Sequence, residues 1–186
     1  MRKLVVWNLM TLDGYFEGSN PWDLDFHMLA WGDELERYAT ELGSEGDLLI
    51  FGRKTYEGMA AYWPDATETP GIAAYMNGIA KIAASRSLDK AEWNNTRVVR
   101  DIAAEVKAIK EEAGKTIFVF GSADVTDVLL KAGLVDEIRI CLVPVVLGSG
   151  NPYFKPAAEQ RPVTLIDSRP LKTGAVILRY EPTKTA

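Results

Sequence analysis

Hydrophobic positions along this chain switch between two periods. Lys3 to Leu12, Asp47 to Phe51, Ala80 to Ala84, Thr96 to Val99 and Ile117 to Phe120 are short apolar stretches. Their composition suits strands covered on both faces of a parallel sheet. Between them, Leu35, Tyr38, Ala39 and Leu42 recur at helical spacing, as do Tyr56, Met59 and Ala60. Ile102, Val106 and Ile109 repeat the pattern, then Val125, Val128 and Leu129. Gly43 and Gly46 are expected to stop the first helix, Gly114 and Gly133 the later ones. Ile72 to Gly78 predicts a short helix, and Ala61 to Thr69, which holds Pro64, predicts a loop. From Asp136 to Leu147 the chain alternates, with Ile138, Ile140 and Leu142 on one face and Arg139, Cys141 and Val143 on the other. Pro144 cannot donate to a ladder, so an edge or a bulge is expected there. Pro162 to Ser168 and Gly174 to Tyr180 predict a closing antiparallel pair. This alternation of strands and helices specifies one α/β domain over residues 1–186, with a sheet that turns antiparallel near its C-terminal part.

Three of the strands end on chemistry. Ile117 to Phe120 runs into Gly121-Ser122-Ala123, and Val125 begins the helical pattern behind it. A strand that stops at glycine and opens a helix presents bare N–H groups at a positive helix end, a seat for phosphate. The same residues make an equally good tight turn. A second junction, Gly52-Arg53-Lys54-Thr55, adds two cations, with Thr55 placed to cap the helix. A third strand ends at Ser85-Arg86. Arg53 and Arg86 carry forks that pair bidentately with phosphate oxygens, although each alone is as readily a solvated surface residue. No Gly-x-Gly-x-x-Gly fingerprint occurs. Tyr15 to Asp25, with Tyr15, Phe16 and Trp22, reads as a loop that either covers a ligand or packs on the core.

Charge and composition narrow the partners. The net charge of −5 argues against nucleic acid. Cys141 is the single cysteine and His27 the single histidine, so the common zinc sites, and any metal site of that kind, are not expected. Cys141 reads as a small core residue. The N-terminus lacks a secretory pattern, and no run approaches the roughly 20 apolar residues of a membrane span. A soluble cytoplasmic protein acting on a small-molecule substrate is the expectation.

Taken together, several stretches resemble the dihydrofolate-reductase-like superfamily. They are Leu12-Asp-Gly-Tyr-Phe-Glu-Gly18, Phe51-Gly-Arg-Lys-Thr-Tyr56, Ser85-Arg86, Phe120-Gly-Ser-Ala123, Val135-Asp-Glu-Ile-Arg139 and Pro144-Val-Val-Leu-Gly-Ser-Gly150. The branch they look like is the reductase domain of the riboflavin-biosynthesis deaminase–reductase. The resemblance implies a three-layer fold with a mostly parallel sheet of about eight strands and an antiparallel C-terminal part, with ligands at the carboxyl ends of the strands. It also implies NADPH as cofactor, a homodimer, and a reductase resembling 5-amino-6-(5-phosphoribosylamino)uracil reductase. Gly52, Arg53, Lys54 and Thr55 would then meet cofactor phosphates, and Ser85 and Arg86 the adenosine 2′-phosphate. Gly121, Ser122, Ala123 and Val125 would take the pyrophosphate and nicotinamide side. The deaminase's His-x-Glu and Cys-x-x-Cys are absent from this sequence.

The substrate side is less defined. Asp13 is a candidate polar contact or a turn residue paired with Gly14. Pro21-Trp22 copies a folate-reductase loop, and counting from it the acid position falls on His27, with Asp25 two residues earlier. His27 is a candidate proton donor. Trp22, Phe26 and Trp31 either stack on a flat heterocycle or belong to the core. The expected activity is hydride transfer from NADPH to a C=N or C=O group of a small heterocyclic or sugar-derived substrate. The rivals are a non-catalytic ligand-binding protein on the same fold and a true dihydrofolate reductase. The apolar strand Ile138–Leu147 is the surface expected at a dimer interface.

Overall fold

The structure is a computed structural model that describes residues 1–157 and 160–183. Its strands are β1 (Leu4–Thr11), β2 (Tyr15–Glu17), β3 (Gly46–Gly52), β4 (Ala80–Ala84), β5 (Thr96–Val99), β6 (Thr116–Phe120), β7 (Glu137–Val143), β8 (Asn151–Pro152), β9 (Val163–Pro170) and β10 (Val176–Pro182). Eight of them form one sheet in the order β5-β4-β3-β6-β1-β7-β10-β9. Every pairing from β5 across to β7 is parallel, and β10 and β9 are antiparallel additions. The helices are α1 (Asp33–Glu45), α2 (Arg53–Tyr62), α3 (Pro70–Gly78), α4 (Ile102–Lys110) and α5 (Ala123–Lys131). None of them is long and apolar enough to cross a membrane.

Period-two alternation divides the core between two faces of this sheet. Val5, Trp7, Leu49, Phe51, Phe118 and Cys141 pack with residues of α1, α2 and α3. Leu4, Val6, Ile50, Ile117, Val119 and Ile138 pack with α4 and α5. Both faces of β1 and β6 are covered, so their apolar runs are continuous; each such buried side chain contributes about 1.5–3 kcal/mol. Cys141 is fully buried, and burial pushes its thiol up to about 12. It is a core residue, as its setting in the sequence suggests.

Several boundaries differ from the sequence reading. α1 runs through Gly43 to Glu45, and Gly46 ends it. The Tyr75 ring of α3 lies 3.4 Å from where a Cβ at Gly43 would be, so a small residue serves the packing of the two helices. The stretch expected as a loop after Ala61 is the end of α2 followed by a 3-10 helix, Trp63–Asp65. β7 stops at Val143, one residue before Pro144, and it is an interior strand between β1 and β10. The expected edge is therefore elsewhere: β9, whose residues are all exposed, is the edge on that side. The β9–β10 pair itself matches the expectation, with a bulge at Arg179/Tyr180.

At the amino-terminal end of β7 a buried carboxylate organises four charges. Glu137 is fully buried and accepts from Arg139 Nε at 2.6 Å, Arg179 Nε at 2.7 Å and Lys3 Nζ at 2.8 Å. Arg139 also grips both oxygens of Glu45, at the end of α1, at 2.7 Å. Burial by itself raises the Glu137 carboxyl, but the hydrogen bonds from Arg179, Arg139 and Lys3 outweigh it and hold it down at about 2. A folded-state value below the unfolded one means that this stabilisation is complete above the ordinary carboxylate range and is lost as pH falls from about 4.5 towards 2. Glu137→Gln removes the charge and leaves three cations facing a neutral amide. Urea denaturation at pH 7 should show a loss of about 3 kcal/mol, and the loss should shrink as the pH is lowered to 3. A variant as stable as the parent at both values would contradict this account.

Candidate functional site

The carboxyl ends of β1, β3, β4 and β6 open into one cavity of about 540 Å³, within the range of small-molecule sites. Its position follows from strand order. β1 and β3 are separated by β6, which enters the sheet later in the chain, so the loops after these strands diverge and leave a crevice.

Two strand–helix junctions form one side of it. After β6, Gly121 and Ser122 are both left-handed, with φ of 59° and 57°. Glycine adopts this conformation freely, whereas serine does so at a cost of about 1 kcal/mol. The result turns the Ser122 hydroxyl back across the sheet. It accepts from the Gly52 N–H at 2.6 Å and donates to Thr55 Oγ1 at 2.8 Å. A Cβ at Gly121 would lie 3.2 Å from the Thr55 methyl. The two junctions are thus interlocked, and the first turns of α2 and α5 lie side by side. Gly52, not Thr55, is the cap position of α2; the Thr55 hydroxyl serves the bridge to Ser122.

Gly52, Arg53, Lys54, Thr55, Ser85, Arg86, Gly121, Ser122, Ala123 and Val125 all line the cavity. Their side chains are not equally free. The Ser122 hydroxyl is engaged as described. The Ser85 hydroxyl accepts from Ser87 N–H at 3.2 Å and Leu88 N–H at 2.9 Å, shaping the turn after β4. Arg53 is paired with Glu57 one turn along α2, at 2.9 Å. Lys54 and Arg86 are exposed and have no acidic partner among the described residues.

The polar candidates on the substrate side separate. Asp13 does not line the cavity. It accepts from Thr11 Oγ1 at 2.7 Å, Leu147 N–H at 3.1 Å and Gly148 N–H at 2.7 Å, fastening the turn after β1 to the Leu147–Gly148 loop. The Thr11 hydroxyl, with those amides, brings its carboxyl down to about 2. Asp25 begins a 3-10 helix, Asp25–Leu29, and is exposed outside the cavity. His27 does line it, packed edge-on against Phe26. Burial lowers its imidazole to about 4, so it is neutral at pH 7 and is no imidazolium donor.

Of the aromatic candidates for a flat heterocycle, Trp22 and Trp31 line the cavity, whereas Phe26 is buried in the core; nothing in the sequence singles out Trp7, Trp63 or Tyr75. Trp7, Trp22, Trp31, Trp63 and Tyr75 converge there from β1, the loop before α1, the end of α2 and α3. Helical spacing marked Met59 and Ile72 only as core. The Tyr15–Asp25 stretch holds β2, which pairs with β8. Beyond it, Trp22 is left-handed (φ 63°), with its N–H on Glu17 Oε1 at 2.7 Å, while Glu17 Oε2 accepts from Asn151 at 3.0 Å. The Trp22 indole lies against Gly58 of α2, where a Cβ would come within 1.7 Å of the ring. The loop is a strap pinned to α2, with Trp22 in the cavity wall.

A three-layer sheet of this order, with a cleft at the ends of its parallel strands, defines a dihydrofolate-reductase-like α/β protein. The chain belongs to the family of the RibD C-terminal domain, whose model matches residues 2–177. It is 26% identical over 182 residues to the uncharacterized protein YyaP of Bacillus subtilis, covering 96% of this chain and 94% of that protein. A structure from Shewanella sp. PV-4, described as a proposed riboflavin biosynthesis protein, superposes with a TM-score of 0.76 at 19% identity over 98% of this chain and 99% of its own. The Thermotoga maritima diaminohydroxyphosphoribosylaminopyrimidine deaminase/5-amino-6-(5-phosphoribosylamino)uracil reductase superposes at 0.68 with 11% identity, over 98% of this chain and 57% of that one.

Gly58→Ala tests the strap. Alanine favours the helix by about 1 kcal/mol but leaves no room for the indole. Chymotrypsin should cut after Trp22 several-fold faster in the variant, and an unchanged rate would count against the contact.

Proposed function

We propose that this protein is an NADPH-dependent reductase of a small C=O or C=N compound. The observation that carries this reading is the pair of acid-free cations, Lys54 and Arg86, beside two helix starts joined through Ser122. Backbone N–H groups of the first turns of α2 and α5 suit a pyrophosphate. Lys54 and Arg86 suit a further phosphate, the feature that separates NADPH from NADH. When bound, NADPH supplies a hydride and leaves as NADP⁺, reducing the C=O or C=N carbon by two electrons while its oxygen or nitrogen gains one proton. The residues of this chain bind, orient and exclude water. Neutral His27 can accept or donate a hydrogen bond to substrate but carries no proton to give as an acid at pH 7. The folate-reductase alternative lacks its acid, because Asp25 lies outside the cavity.

Saturating NADPH should raise the melting temperature, since a ligand of the native state alone must stabilise it. Arg86→Ala and Lys54→Ala should each weaken NADPH binding about tenfold and leave NADH binding nearly unchanged, measured by fluorescence titration. Equal losses for both nucleotides would argue against a 2′-phosphate site at these residues.

The homodimer also stands as a proposal, moved from β7 to β9. β7 is buried within one subunit, whereas on β9 Val163, Leu165 and Ile166 are 43%, 52% and 47% exposed. An exposed apolar edge strand invites pairing, and a second copy related by a two-fold axis would cover both edges at once. Sedimentation at micromolar concentration should give a dimer that Leu165→Asp converts to monomer; a parent protein that sediments as a monomer would reject the assignment.

A further inference from the structure

We infer that the substrate half of the cavity takes a flat, uncharged aromatic or heteroaromatic carbonyl or imine compound that carries no phosphate. This rests on the reductase reading above and narrows its substrate class.

The argument is the partition of charge within one cavity. Among its described lining residues the cations are Arg53, Lys54, Arg86 and Lys155. Arg53 and Lys54 belong to the first turn of α2, and Arg86 follows β4. Lys155 is paired with Asp124, in the first turn of α5, at 3.2 Å. Arg53, Lys54 and Lys155 sit at the helix starts assigned to the cofactor, and Arg86 ends β4, the strand beside β3. The wall built by the 3-10 helix, α1, the end of α2 and α3 contributes no cation to the cavity. It contributes indoles, a phenol, thioethers and aliphatic side chains instead, among them Trp31, Trp63, Tyr75, Met59 and Ile72. The acid nearest this side, Glu17, would repel an anion, and both its oxygens already hold Trp22 and Asn151.

A ribose phosphate placed here would surrender its hydration to aromatic faces without a cation in return. For a charged group that penalty far exceeds what aromatic faces return. A flat neutral ring gains on the same surface by burial and stacking. Three polar atoms complete the description. Asn8 Nδ2, His27 Nε2 and Tyr75 Oη belong to cavity-lining side chains, and each is buried without a hydrogen-bond partner among the described residues. Such groups fit a ligand with a few neutral donors and acceptors, because an unpaired buried polar atom is costly until it is satisfied.

The test is calorimetry on the full chain saturated with NADP⁺, which keeps hydride chemistry out of the measurement. The two probes are isatin, a flat neutral carbonyl heterocycle, and uridine 5′-monophosphate, a pyrimidine with a ribose phosphate. Isatin should bind at least tenfold more tightly. Ile72→Arg, at a half-buried lining position, should weaken isatin and strengthen uridine 5′-monophosphate by several-fold each. Tyr75→Phe, which keeps the ring, should weaken isatin only. Equal or tighter binding of the nucleotide to the parent protein, or no isatin binding at millimolar concentration, would overturn the inference. Isatin binding without any NADP⁺ binding would instead reject the cofactor reading and leave this one standing.

Discussion

One hydroxyl group holds the cavity end of this protein together. Ser122 Oγ accepts a hydrogen bond from the Gly52 N–H and donates one to Thr55 Oγ1, joining the last residue of β3 to the turn after β6. Neither junction has that geometry alone. It requires two successive left-handed residues, Gly121 and Ser122, and the strain at Ser122 is offset by two hydrogen bonds worth about 1 kcal/mol each. With the bridge in place, α2 and α5 start at the same height above neighbouring strands. Their positive ends then act on one volume of space.

The remainder of the cleft follows from what surrounds that corner. On one side lie cations on strand ends; on the other lies an aromatic wall brought from four separate segments. Trp22 reaches it only because Gly58 has no side chain, and because Glu17 pins the Trp22 amide in a conformation that bulky residues rarely adopt. The neutral state of His27 belongs to the same environment: burial disfavours its charged form more than any neighbour stabilises it.

The buried ion cluster and the cavity lie at opposite ends of the sheet. The Glu137 cluster ties β1, β7, β10 and α1 together at the amino-terminal end of β7, far along the strands from the cleft. Parallel strands all end on one side, so ligand-binding loops collect there and ion pairs that fasten the sheet can occupy the other. Asp13, a candidate for chemistry by its position after β1, does a fastening task too, holding the amides of Leu147 and Gly148.

Local chemistry determined much of this protein. Apolar runs such as Ile117–Val119 suit strands covered on both faces, and the strand–glycine–helix order at Gly52 and Gly121 marks the strand ends that line the cavity. The alternation in Glu137–Val143 assigned each residue to its face of the sheet. What sequence could not supply is whatever depends on partners distant in the chain. Gly43 looks like a helix stop until Tyr75 packs on it, and Pro144 looks like an edge until β10 is placed beside β7. Ser122 and Ser85 lie at the cavity as their strand ends suggest, but the bonds of their hydroxyls to Gly52, Thr55, Ser87 and Leu88 could be seen only in the folded chain. Trp22 and Trp31 could be read either as stacking residues or as core, and nothing local to Trp7 or Trp63 set them beside those two. Periodicity records which way a side chain faces along its own element; only the tertiary structure decides what stands opposite, and the aromatic wall exists because β1, a strap, α2 and α3 meet there.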